Sequence, residues 1–231
     1  MGDEQLEQAL RVARREAAPF VLIAAAADGV LALVSWWHGW ELYTVNDWWI
    51  WIVLAVPALV LAIVFSFGIG RLGVSSRHRR KAAVSLLGLL AFANFVAVGL
   101  VLGSLAGGGA RMTGLQLLAT AAVVLLVNII TFALVFWEVD CGGPVARATA
   151  ERRVTPDFQF PQDENPELAR KDWAPALEDY LYVAATNSIA FSPTDAMPLT
   201  HRAKLAMGVE SFIAAVTLLI VAARAVNILQ G

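Results

Sequence analysis

The sequence predicts an all-helical integral membrane protein, and two features of its composition support that prediction. Hydrophobic residues make up 58% of the 231 residues, more than the roughly 45–50% of an ordinary soluble domain. Charged residues make up only 16%, against about 25% in soluble domains. Because a soluble fold of this size cannot bury so much apolar surface, we expect a multi-pass protein of the cell membrane, with the lipid bilayer as its main partner.

Five stretches are long enough to be membrane spans, which need about 20 mostly apolar residues. A backbone inside lipid must satisfy its own hydrogen bonds, so each stretch is expected to be a helix. The predicted spans are 17–37, 48–70, 82–106, 114–137 and 203–228.

The first predicted span admits a second interpretation. Arg11, Arg14 and Arg15 precede it, and alanines fill 24–27, a pattern also typical of a cleaved secretory signal. The apolar run continues to Trp37, however, so a retained span is favoured. Before it, an amphipathic lead-in helix is predicted for residues 3–16.

Six of the eight tryptophans bracket the connection between the first two spans. Indole rings favour the headgroup level of a bilayer, so this cluster predicts an interfacial belt. Its members are Trp36, Trp37, Trp40, Trp48, Trp49 and Trp51.

The long polar segment precedes the last span. Its first part, 138–173, is predicted to be a surface loop with one short helix starting at Asn165, because Pro166 and Glu167 suit a first helical turn. A helix over 174–186 is then expected, too short to cross a bilayer and therefore re-entrant. An irregular stretch is expected to follow it up to Pro198.

A long helix, a polar loop, a short helix, an irregular stretch and a final long helix form the outline of a pore module. The sequence of residues 180–200, YLYVAATNSIAFSPTDAMPLT, resembles the pore loop of tetrameric potassium-channel-like proteins. Residues 188–192 take the place of that family's Thr-Val-Gly-Phe-Gly filter, and Asp195 that of its filter aspartate. The resemblance divides the chain into a three-span region, 1–113, and a two-span pore-like module, 114–231. It implies a homotetramer.

The glycines of such a filter allow backbone angles that Ala190 and Ser192 resist. We therefore expect a weakly selective pore for monovalent cations rather than a potassium filter. The C-terminal end of the short helix carries partial negative charge, which favours a cation. The alternatives are a non-conducting accessory protein with a decayed pore and a small secondary transporter. The candidate pore residues are Thr186, Asn187, Ser188, Ile189, Ala190, Phe191, Ser192 and Asp195.

Polar residues within the spans are the other candidates. Glu210, Thr217 and Arg224 share one face of the last helix, and ionisable groups in a membrane usually face a bundle interior or water. Such a stripe is expected of a pore-lining helix. The alternative is that Glu210 pairs locally with Arg202 or Lys204 and that Arg224 extends to the interface.

Asp28 is the most deeply placed charge of the first span. It is a candidate for proton or ion coupling, with a structural hydrogen bond to a neighbouring helix as the alternative. Asn94 and Asn128 are expected to bond between helices.

The distribution of positive charge predicts a cytoplasmic N-terminus. The N-terminal region and the 71–81 loop hold eight Lys and Arg residues, and the alternate loops hold one, Arg111. With five spans the pore-like loop then faces the cytoplasm, whereas potassium-channel-like proteins place theirs outside. An inverted loop, a sixth span over 176–192 or a failure of the charge rule would each resolve this conflict.

Several functions are not expected. Net charge is −2 and no long basic run tracks along a polar face, which argues against nucleic acid. The lone Cys141 allows no internal disulfide, and the three histidines lie far apart, so neither a metal nor another cofactor is predicted. No set of nucleophile, base and orienting residue indicates an enzyme.

Overall fold

The computed structural model describes residues 3–42, 47–67, 76–106, 112–149, 155–171, 173–192 and 196–229, and nearly all of them are helical. The long helices are α1 (Asp3–His38), α2 (Trp49–Phe67), α3 (Ser76–Ala106), α4 (Gly114–Val139) and α8 (His201–Leu229). Shorter elements are α5 (Pro144–Thr149), β1 (Phe158–Gln159), α6 (Pro161–Glu164), α7 (Leu177–Ala190) and β2 (Met197–Pro198).

Four of the long helices, α1, α3, α4 and α8, are long and apolar enough to cross a membrane. This confirms the predicted membrane class. Within α2 the apolar stretch is shorter, over Trp49–Val64.

The lead-in helix and the first span are one continuous helix. Residues 3–16 were predicted as a separate amphipathic element, yet α1 runs through Pro19 without a break. A proline removes only one backbone donor, and the Glu, Gln, Arg, Ala and Leu residues before it favour a helix.

Helix α4 is the centre of the packing. It contacts α1, α3, α7 and α8, while α2 lies between α1 and α3. Fully buried alanines, among them Ala17, Ala24 and Ala58, let backbones approach closely, as in membrane helix bundles. Large apolar side chains such as Phe92 and Leu219 are exposed on the outside, where lipid would cover them.

Contacts between helix ends show which ends lie together. Gln116, near the start of α4, donates from Nε2 to the Glu41 carbonyl just after α1, at 3.0 Å. Helix α1 also packs on α5, just beyond the end of α4. The end of α1 therefore meets the start of α4, and an earlier part of α1 meets the chain that leaves α4.

The polar segment contains different helices from those predicted. The short helix is α6, Pro161–Glu164, and Asn165, where a helix was expected to begin, is its C-cap. Asp163 accepts a hydrogen bond from the Phe160 N–H at 3.1 Å and fixes that start. The short helix predicted for 174–186 corresponds to α7, Leu177–Ala190; its re-entrant character stays a prediction.

The tryptophan belt is correct in part. Trp36, Trp37 and Trp49 are exposed, as interfacial anchors should be. Trp51 is only 5% exposed and packs inside the bundle, because α2 turns that position towards α1 and α3.

Candidate functional site

The predicted filter does not have the backbone of a filter. Residues from Thr186 to Ala190 belong to α7, and Phe191 ends the helix in a left-handed conformation with φ of 53°. Thr186 donates its hydroxyl to the Tyr182 and Val183 carbonyls of the preceding turn. The expected irregular stretch therefore begins only at Phe191 and Ser192, and Asp195 lies outside the described residues.

Helix α7 continues because two of the candidate residues bond to Glu210 of α8. The Asn187 amide donates to Glu210 Oε2 at 2.6 Å, and the Ser188 hydroxyl donates to Oε1 at 3.0 Å. Asn187 also donates to the Met207 carbonyl at 3.0 Å. Glu210 is completely buried, and no Lys, Arg or His contacts its carboxylate within the described chain. The expected pairing with Arg202 or Lys204 is thus wrong.

The hydrogen bonds continue across the bundle. Asn128 of α4 donates from Nδ2 to Ser188 Oγ at 3.4 Å and to the Glu210 carbonyl at 3.3 Å. Asn94 of α3 donates to Asn128 Oδ1 at 3.0 Å, so the expected bond between helices is confirmed. We call Asn94, Asn128, Asn187, Ser188 and Glu210 the polar core.

Asp28 lies at the other end of this group. It is 7% exposed, and no group of the described chain donates a hydrogen bond to it or pairs with it. It shares a small cavity with Asn94 and Trp51, which has room for about one water molecule. The structural hydrogen bond to a neighbouring helix, expected from the sequence, is therefore absent from the described residues.

The predicted stripe on α8 faces the bundle over its first half. Glu210, Ala214 and Thr217 are buried, and Thr217 donates back to the Ile213 carbonyl at 2.8 Å. Arg224 is only half-buried; it donates from Nη2 to the Met112 carbonyl at 3.3 Å. Arg224 therefore binds the start of α4.

A second group of polar residues, which the sequence did not predict, lies where α4 ends. The Asp157 carboxylate is fully buried. It accepts from Arg202 Nε at 2.5 Å and Nη2 at 2.6 Å, and from the Thr200 hydroxyl at 2.5 Å. The Cys141 N–H adds a further bond at 3.3 Å. This arrangement ties the loop after α5 to the start of α8.

Asp140 extends that group towards α7. Its Oδ2 accepts the Tyr180 hydroxyl at 2.6 Å, and its Oδ1 accepts the Asp157 N–H at 2.7 Å. The Arg147 guanidinium reaches the Asp140 carbonyl at 2.8 Å and lies 5.3 Å from the Tyr180 ring centre. We call Asp140, Asp157, Tyr180, Arg202 and their bonded neighbours the surface cluster.

The turn that orients Asp140 needs unusual backbone angles. Cys141, Gly142 and Gly143 have φ of 53°, 85° and 97°. A Cβ at Gly143 would lie 3.2 Å from the Glu138 carbonyl oxygen, so glycine is required there. The small Cys141 is half-buried and its thiol contacts Asp140 Oδ1 at 3.6 Å.

Electrostatics identify the surface cluster as structural. Burial raises the pKa of Asp157, but the hydrogen bonds from Arg202 and Thr200 and the charge of Arg202 lower it by more. The pKa of Asp157 therefore lies below its usual value. Every oxygen of this carboxylate is bonded and its charge is balanced. No group of three or more His, Cys, Asp or Glu residues that could hold a metal lies within the described ranges.

Comparison with models of protein families, with curated proteins and with solved structures gives no match. The site is therefore interpreted from its own geometry.

The surface cluster could not have been located from the sequence, because its members come from segments up to 62 positions apart, Asp140 to Arg202. One signal was present. Phe158 and Phe160 alternate with Gln159 directly after Asp157, which indicates a short half-buried strand. That strand is β1; it pairs with β2 and brings Asp157 to the start of α8.

Proposed function

We propose that this chain moves a small monovalent cation, in which class we include the proton, across the membrane. Glu210 is the group that binds the ion in transit. The polar core of α3, α4, α7 and α8 forms the site.

The observation that supports this function is the uncompensated carboxylate of Glu210. Burying a charge is costly unless an opposite charge accompanies it, and ionisable residues in membrane bundles mark ion and proton paths. Within the described residues, the Glu210 carboxylate is bonded by the amide of Asn187 and the hydroxyl of Ser188 and by no cationic group. We propose that its negative charge is balanced by a cation or a proton that enters the site.

The proposal includes five spans, with α2 as the fifth. Its 19 residues extend about 28 Å at ~1.5 Å per residue, close to the ~30 Å of a bilayer core. Helix α1 packs on α5, which follows α4, and the Gln116–Glu41 bond joins the opposite ends of α1 and α4. Since the two helices are antiparallel, an even number of crossings should separate their paired ends, which supports a crossing by α2.

The same pairing supports a cytoplasmic surface cluster. The charge rule assigns the N-terminus, with Arg11, Arg14 and Arg15, to the cytoplasm, and the chain after α4 lies on that side. Helix α7 would enter the bundle from there, as a re-entrant helix. Glu210 is nine residues into α8, or about 13 Å along the axis, near the middle of the bilayer.

The arrangement of α4, α7 and α8 is also the outline of a pore module, in which a short helix packs between two long ones. The fourfold pore stays a prediction. Asn187 and Ser188 point to Glu210 of the same chain, which favours a route within each protomer over one along a shared axis. Tyr182 and Ile189 of α7, 51% and 64% exposed, and Phe191 at its C-cap, 50% exposed, are positioned to contact a second copy.

The test uses the full chain reconstituted in liposomes, with ion flux followed by internal pH-sensitive and sodium- or potassium-sensitive dyes under an imposed potential. Glu210→Gln keeps the shape and removes the charge. The flux is expected to fall on the order of 100-fold, the loss typical when a positioned proton-transfer group is removed.

The matched control is Glu178→Gln, the same change at an exposed position in the first turn of α7, and its flux should equal that of the unchanged chain. If the unchanged chain carries no cation and no proton, the proposed function is wrong and a non-conducting accessory role takes its place. Equal flux in the Glu210→Gln variant would remove Glu210 from the path. The particle mass in detergent decides between monomer and tetramer.

A further inference from the structure

The direction of the hydrogen bonds in the polar core is set by one backbone carbonyl. Asn128 Nδ2 lies 3.3 Å from the Glu210 carbonyl oxygen, which can only accept. The Asn128 amide is thereby oriented, and its Oδ1 must face Asn94. Asn94 then has to present its Nδ2 to Asn128, as it does at 3.0 Å.

This orientation decides what Asn94 offers to the cavity beside Asp28. Its amide nitrogen is used towards Asn128, and no group of the described chain donates to its Oδ1. Asp28 likewise receives no donor there. Both side chains line the cavity, so the site presents oxygen acceptors that have no donor from the described part of the chain.

The rest of the cavity wall carries no charge. It consists of Trp51 and Leu54 from α2, Leu90, Ala93 and Ala97 from α3, and Val124 and Val127 from α4. Apart from Asp28, none of the described residues that line the cavity is titratable. The Trp51 indole N–H is the one other hydrogen-bonding group among the lining residues.

We infer that the Asp28 cavity is a second ion site, and that its ligand is a proton held between the Asp28 carboxyl and the Asn94 amide oxygen, directly or through one water molecule. A protonated carboxyl supplies the donor that Asn94 Oδ1 lacks. It also removes a buried charge that no residue of the described chain balances. Protonation therefore satisfies both groups at once.

The size and ligands of the cavity favour a proton over a metal ion. Hard metal cations take several oxygen ligands, six to eight in the case of calcium. Here only the side chains of Asp28 and Asn94 among the lining residues supply oxygen atoms that could bind a metal ion. The cavity volume admits about one water molecule.

The inference rests on the proposed function in one respect, since it makes the proton the substrate and Asp28 a second binding group for it. A proton would arrive from water, bind the Asp28 carboxylate to give the neutral acid, and leave as the carboxylate re-forms. Asn94 connects that site to the Glu210 site through Asn128 and Ser188. The side-chain amides of Asn94 and Asn128 position the two sites and do not themselves transfer the proton.

Infrared difference spectroscopy of the reconstituted full chain tests the site without any flux. The spectrum at acid pH minus that at alkaline pH should contain carbonyl bands of protonated carboxyl groups. Asp28→Asn should remove one of these bands. Asn94→Leu should shift the frequency of that same band, because the hydrogen-bond acceptor is lost. The control Ser104→Ala, a buried polar residue of α3 outside the polar core, should leave the band unchanged.

Proton flux is measured on the same samples, with Asp47→Asn as the matched carboxyl-to-amide control. Asp47 is buried but accepts a bond from the Leu42 N–H, in the connection between α1 and α2. Asp28→Asn is expected to lower proton flux on the order of 100-fold, while Asp47→Asn retains it.

The outcomes separate the inference from the proposed function. If Asp28→Asn leaves both the bands and the flux of the unchanged chain intact, the Asp28 site is wrong while the role of Glu210 stands. If the band is present and sensitive to Asn94→Leu but the unchanged chain shows no flux, the site stands and the transport function is wrong. A band that depends on sodium or potassium concentration instead of pH would overturn the proton assignment.

Discussion

The surface cluster and the polar core each contain a fully buried carboxylate and differ in how that carboxylate is compensated. Asp157 is held by a bidentate Arg202, a hydroxyl and a backbone N–H. Glu210 is equally buried, yet its side-chain partners are one neutral amide and one hydroxyl, and Asp28 has none in the described chain. Burial alone therefore does not distinguish a structural acid from a functional one.

What distinguishes them is the presence of a cationic partner. A paired carboxylate keeps one protonation state over a wide pH range, which suits a permanent connection between segments. An unpaired carboxylate in a membrane interior is stable only with a bound cation or proton. A carboxylate can thus fix the fold where Asp157 binds Arg202 of α8, whereas under the proposed function Glu210, further along the same helix, binds an ion.

The largest effect on stability is expected from Arg202→Ala. It leaves the fully buried Asp157 carboxylate without its cation. Because the Arg202 side chain is 56% exposed, solvent screens the pair, and the loss should be less than the ~3 kcal/mol that breaking a fully buried pair costs. Arg202→Lys should cost less, because one charged donor remains. The measurement is unfolding in mixed micelles. Lys204→Ala, at an exposed position of the same helix, should change stability by less than about 0.5 kcal/mol; equal losses in the two alanine variants would contradict the comparison.

A second, smaller effect concerns pH. The pKa of Asp157 is lower in the folded chain than its usual value, so its stabilisation is fully present above the unfolded pKa of about 4. That stabilisation is lost as pH falls through the folded value. The thermal midpoint of the unchanged chain should therefore decrease as the pH is lowered below about 4. In the Asp157→Asn variant, the midpoint should depend less on pH in this acid range. An identical pH dependence in the variant would show that another carboxylate causes it.

The smallest effect is expected in the polar core. Asn128→Leu removes bonds to Asn94, Ser188 and the Glu210 carbonyl, but hydrogen bonds between membrane helices contribute only about 0.6–1.7 kcal/mol each. A loss of about 1 kcal/mol is expected. The double variant Asn94→Leu/Asn128→Leu should lose less than the sum of the single changes, because neither amide is then left unsatisfied. Additive losses would mean that the two amides do not interact.

The membrane environment of this protein can be predicted from the sequence. Apolar length and low charge are local properties, so the membrane class and the four long apolar helices follow from them without knowledge of any contact. The inward face of α8 at Glu210 and Thr217 follows from helical periodicity, and the Asn94–Asn128 bond follows from the cost of an unpaired amide in lipid.

The partners of the buried acids depend on the tertiary fold and on no local sequence pattern. Helix α7 runs to Ala190 because Asn187 and Ser188 bond to Glu210, and no local propensity predicts that contact. Asp157 reaches Arg202 because β1 pairs with β2. Hydrogen-bond partners depend on segments brought together from distant parts of the chain, whereas hydrophobic length does not. The membrane class is therefore readable in the sequence, and the roles of Glu210 and Asp28 are decided by which groups surround them.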